Sequence, residues 1–135
     1  MDQAILVEPQ VTDGRRVLER LRAEAVPVTA AAWVKESEGG PWYFYMVTPL
    51  VSEDIGVRPA FRRIGPLIRQ MPQPCWVDSL EIKVVAPDSD VGKAIREVAG
   101  RRPGPIPTPY GSIRLGGLSI DGAYVYPPVA AAVAP

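Results

Sequence analysis

Residues 28–50, VTAAAWVKESEGGPWYFYMVTPL, decide the fold class. Two apolar runs are joined by Glu38, Gly39, Gly40 and Pro41, and the whole reads as a β-hairpin. In the first run Val28, Ala30, Ala32 and Val34 alternate with Thr29, Ala31, Trp33 and Lys35; in the second Trp42, Phe44 and Met46 alternate with Tyr43, Tyr45 and Val47. Apolar residues therefore occupy both faces until Lys35, as in interior strands covered on one side and partly covered on the other. Glu36 to Gly40 supply the polar residues and permissive glycines of a short loop. The core is expected to form around this hairpin, with Trp33 and Trp42 important for folding.

Working upstream, Ala4 to Val7 is a short apolar run ended by Glu8-Pro9, an edge strand or a packed arm. Thr12 or Asp13 can cap a helix over Arg15 to Ala25, where Val17, Leu18, Leu21 and Ala25 recur at helical spacing. Downstream, Ser52-Glu53-Asp54 offers a second helix start, with Pro59 in its first turn and Phe61, Ile64, Leu67 or Ile68, and Met71 on one face. Gly65-Pro66 is expected to kink or split that helix. Trp76 to Ala86 alternates as a third strand with Leu80, Ile82, Val84 and Ala86 inward. Asp88-Ser89-Asp90 caps a third helix with Val91, Ile95 and Val98 inward, closed near Gly100.

Pro103 to Pro109 makes an extended connector. Ser112 to Asp121 and Ala123 to Tyr126 read as a second hairpin closed around Asp121-Gly122, with a bulge or close backbone approach at Gly116-Gly117. The order α-β-β-α-β-α-β-β predicts an α+β fold: a mainly antiparallel sheet of about five strands with helices packed on one face. Residues 1–126 are expected to form one domain, followed by a Pro/Ala/Val tail over 127–135, free or docked as an extended segment.

Composition narrows the chemistry. With 47% hydrophobic and 22% charged residues over 135 positions the chain has the make-up of an ordinary globular protein. Histidine is absent, which removes the usual neutral-pH base, the Ser-His and Cys-His pairs and histidine-ligated metals. Cys75, the single cysteine, allows no intramolecular disulfide and reads as a small packed residue rather than a nucleophile. The apolar runs fall short of the ~18 residues that span a bilayer, and the N-terminus lacks a basic region and long apolar core, so a soluble, cytoplasmic protein without membrane contact is expected. No cofactor or metal is indicated.

Two constellations carry functional alternatives. Glu81-Ile82-Lys83 places two charged side chains on one strand face, with Asp54 or Asp78 upstream and Glu19 or Glu24 on a helix. This set resembles the metal-dependent nuclease core of the restriction-endonuclease type, which implies Mg²⁺ and activated water, with Glu81, Lys83, Asp54 and Glu19 as the catalytic group. It departs from that core in topology, because a proline-broken helix separates the second strand from Glu81. The other set is Arg58, Arg62, Arg63 and Arg69, bidentate donors for phosphate or carboxylate and the candidate nucleic-acid-binding residues. Fifteen basic and fifteen acidic residues cancel, so any such patch is local. The leading expectation is a non-catalytic protein-interaction or accessory module, with a protein partner or a homo-oligomer and with nucleic acid as an alternative ligand.

Overall fold

A computed structural model describes residues 8–37, 39–73, 75–106 and 113–127. The hairpin read from residues 28–50 is present as β1 (Ala30–Lys35) and β2 (Trp42–Val47), paired antiparallel with Trp33 opposite Phe44. Gly39 takes φ +78 in the connecting turn, where a side chain would be strained. The helices are α1 (Glu8–Ala23), α2 (Arg58–Arg69) and α3 (Asp90–Arg101). The remaining strands are β3 (Ile82–Val85), β4 (Gly104–Pro105), β5 (Ile113–Leu115), β6 (Leu118–Ile120) and β7 (Gly122–Val125). A five-stranded sheet runs in the order β3-β2-β1-β7-β4, and β5 pairs with β6 separately.

The fold is α+β, but the sheet is mixed. β3 lies parallel to β2, with Phe44 opposite Ile82 and Met46 opposite Val84. Parallel neighbours need a long crossover, and α2 lies within the connection from β2 to β3. That connection turns the second helix into part of a βαβ unit. Helices also cover both faces of the sheet rather than one. Ala31, Trp33, Phe44, Met46, Ile82 and Val84 pack with α1 and α2, whereas Ala32, Val34, Tyr45, Val47 and Val125 pack with α3 and the β5–β6 pair. The two-sided apolarity of β1 and β2 has this cause.

Other boundaries differ from expectation for local reasons. α1 begins at Glu8, so Thr12 and Asp13 lie inside the helix, and Pro9 sits in its first turn, where a missing N–H is harmless. The run Ala4 to Val7 lies outside the described residues, as do Pro107 to Pro109 of the connector and the tail beyond Pro127. α2 is one helix running through Pro66, and Ser52 to Gly56 forms a separate turn closed by a Gly56 N–H to Ser52 carbonyl bond of 2.8 Å. Trp76 to Glu81 is not strand: Asp78 caps a 3-10 turn, Ser79–Glu81, by accepting the Leu80 N–H. Leu80 is consequently 87% exposed instead of inward. The last hairpin closes at Gly116-Gly117, with φ +57 and +84, and β7 leaves at Asp121 to pair with β1. Gly116 also approaches Asp90: a Cβ there would stand 2.2 Å from the Asp90 carbonyl oxygen.

α1 is held to the sheet by a polar chain inside the core. Trp33 Nε1 donates to Tyr126 Oη at 3.0 Å and to the Gln10 carbonyl at 3.2 Å, and Tyr126 Oη donates to the Val11 carbonyl at 2.7 Å. Gly14 makes room for this chain. Asp13, buried on the same helix, accepts from Arg16 at 3.1 Å and from the Trp76 N–H at 2.8 Å, which ties the segment before the 3-10 turn to α1.

Candidate functional site

The charge of α2 is one-signed. Its sequence RPAFRRIGPLIR contains four arginines and no acidic residue. Ala60, Ile64 and Ile68 bury the inner stripe, which leaves Arg58, Arg62, Arg63 and Arg69 exposed. Arg63 donates to the Ala25 carbonyl at 3.2 Å, and Arg20 donates to Gln70 at 2.9 Å, so the two helices are stitched where the end of α1 meets α2. Arg58, Arg62 and Arg69 remain as an outward row. A Cβ on Gly65 would lie 3.3 Å from Arg69 Nη1, so the Arg69 side chain folds back over that glycine toward the turn that carries Arg62. Among the described residues the ion pairs involve Asp13, Glu24, Glu36 and Glu97, and none includes an arginine of α2.

Like charges four residues apart on a helix cost a few tenths of a kcal/mol. The row therefore works slightly against the stability of α2. Exposed apolar side chains lie on the segments before and beside α2. Ile55 (58% exposed) and Val57 (47%) precede the helix, Leu80 (87%) stands on the 3-10 turn packed beside α2, and Trp76 (48%) is tied through its N–H to α1. These four are the large apolar side chains that stay exposed among the described residues.

The proposed nuclease set is not brought together. Strand register puts Lys83 opposite Tyr45, on the sheet face that packs with α3, whereas Glu19 lies on the solvent side of α1 across the sheet. Glu81 belongs to the 3-10 turn, and Asp54 is exposed on the turn before α2. Burial, and then the charge of Asp78, raise the Glu81 carboxyl above its ordinary value. Among the described residues no group of three or more Asp, Glu or Cys side chains is placed to hold a metal.

Lys83 has a different set of partners. Its ammonium lies 2.7 Å from Glu36 Oε2, 4.3 Å from the centre of the Tyr43 ring and 5.8 Å from that of Tyr45. Tyr45 donates its hydroxyl to the same Glu36 oxygen. Burial, that hydrogen bond and the Glu36 charge push the Tyr45 phenol well above its usual value. Each member satisfies another, so the cluster is a cross-brace between the hairpin turn and β3. Strand parity already placed Tyr43 and Tyr45 on one face; the pairing with Lys83 needs the parallel register, which no local pattern carries.

A shallow opening of about 500 Å³ is lined by Val98, Arg101, Arg102 and Ile106 at the end of α3. Arg101 is there paired with Glu97 at 3.2 Å. In comparisons with known proteins the chain matches no family model, no curated protein and no solved structure.

Proposed function

We propose that the protein is a non-catalytic docking module that binds another protein through the α2 side of its fold. One observation carries the reading: exposed Ile55 and Val57, just before α2, and Leu80, on the turn packed beside it, accompany a helix whose own outer face is an acid-free arginine row. Singly exposed apolar residues are ordinary. Ile55, Val57 and Leu80 beside one basic helix have the composition of a protein interface, in which apolar side chains and arginine are enriched over lysine and acids. Burying Leu80 and Ile55 would supply the apolar term, and the arginines would set orientation and partner choice.

The test is affinity capture from the source cells with the wild-type chain, Leu80→Asp and Ile55→Asp, both at positions whose exposure leaves the core intact. A partner retained by the wild type and lost by both variants is expected. Equal capture by all three chains, or no specific capture by any, overturns the reading.

A further inference from the structure

The docking reading leaves the chemistry of the partner open, and the charge pattern around α2 narrows it. We infer that the face receives an acidic, aliphatic-bearing helix of a partner protein, with carboxylates spaced to meet Arg58, Arg62 and Arg69; this rests on the docking reading above. Along the α2 axis Arg58 and Arg62 are separated by about 6 Å, and Arg62 and Arg69 by about 10 Å, at the ordinary rise per residue. Arg69 folds back over Gly65, toward the turn that carries Arg62. Carboxylates recurring at three- or four-residue intervals on a facing helix repeat at about the same pitch, and each guanidinium can take one of them in two parallel hydrogen bonds.

Other anionic partners fit less of the surface. A nucleic-acid strand would answer the arginines but give Leu80 and Ile55 nothing apolar to bury against in its backbone. An anionic membrane offers charge and acyl chains, but its mobile headgroups hold no fixed spacing to match the row. A second copy related by a two-fold axis through α2 would set one arginine row against another. A polypeptide helix presents carboxylates at fixed spacing beside aliphatic side chains.

The experiment uses the full chain and a synthetic peptide of about 18 residues, ~27 Å long as a helix. The peptide carries glutamates at alternating spacings of three and four and a flanking leucine stripe. Binding is read by fluorescence anisotropy beside a lysine-for-glutamate version, a single-stranded oligonucleotide and vesicles of phosphatidylcholine with phosphatidylserine. The glutamate peptide should bind most tightly, lose about tenfold or more in affinity for Arg62→Glu/Arg69→Glu, and weaken as salt rises. The lysine peptide should gain affinity for that charge-reversed variant, an exchange that misfolding does not mimic. Tighter binding of the oligonucleotide or the vesicles overturns the inference, and so does no binding of the glutamate peptide or equal binding to both chains. A cellular partner lost by Leu80→Asp but kept by Arg62→Glu/Arg69→Glu also overturns it while leaving the docking reading standing.

Discussion

Replacing Gly14 by alanine tests how closely α1 lies on the sheet. The new Cβ would stand 2.2 Å from Tyr126 Oη, 2.9 Å from Trp33 Nε1 and 3.1 Å from Phe44 Cε1. None of the three can swing aside, because Trp33, Phe44 and Tyr126 are almost fully buried and the rings pack on one another, with Phe44 edge-on to Tyr126 at 6.0 Å. The methyl must displace the phenol and break the Trp33–Tyr126 and Tyr126–Val11 hydrogen bonds. Two such bonds are worth about 1 kcal/mol each. Overpacking adds about 1–3 kcal/mol, and the better helix propensity of alanine offsets about 1 kcal/mol. The net loss is about 2–4 kcal/mol, read as a lower urea midpoint at an unchanged slope. Tyr126→Phe removes the oxygen nearest to the new methyl, so in that background Gly14→Ala should cost at least about 1 kcal/mol less. Gly14→Ala as stable as the parent, or a cost indifferent to Tyr126→Phe, refutes the close approach.

Two further outcomes concern the brace on the other face. Lys83→Met should lose about 0.5–1.5 kcal/mol, since the Glu36 pair is partly solvated and the Tyr43 ring contact is of the same small order; a double-mutant cycle with Glu36→Gln should show a coupling below about 1 kcal/mol, and zero coupling would mean that the pair is ornamental. Tyr45 and Tyr126 both have phenols raised above the unfolded value of 10.0, chiefly by burial. The unfolded chain then loses these protons first, so stability should fall as pH climbs above 10 and before the folded phenols ionise. Tyr45→Phe should flatten that fall in urea melts, and an unchanged slope would contradict the assigned burial.

The parts of the fold that could be read from sequence were those set by local pattern. The β1–β2 hairpin follows from alternation and a glycine turn, and α3 from the Ser89 cap, whose hydroxyl accepts the Gly92 N–H at 3.0 Å. Spacing gave the inner stripe of α2 in part: Ile64 and Ile68 are buried, but Ala60 joins them where Phe61 was expected, and Phe61 is only partly covered. Misreadings fell where two local signals competed. Alternation through Leu80, Ile82 and Val84 continued past the true start of β3, because Asp78 favours a 3-10 turn that throws Leu80 outward. Asp121-Gly122 resembles a hairpin turn as much as Gly116-Gly117 does, and the choice between them was made by the close packing of Gly116 on Asp90. The arginine row was legible for the same local reason as the hairpin: α2 carries it within twelve residues.

The functional difference between the two charged constellations comes from that same division between local and distant information. Glu81 and Lys83 look like a pair because they are two residues apart in an alternating run, but the 3-10 turn takes Glu81 out of the strand, and the parallel pairing with β2 then gives Lys83 to Glu36, forty-seven residues earlier. A cation with a carboxylate 2.7 Å away and an aromatic ring beneath it is already satisfied within the chain. Arg58, Arg62 and Arg69 keep their spacing on one helix, and among the described residues no ion pair includes them. Charges that tertiary structure has neutralised contribute to stability. Like charges left in a row on one helix work slightly against the isolated fold. Bracing therefore belongs to the Lys83 face, and the α2 row is charge that the described fold leaves without an ion pair.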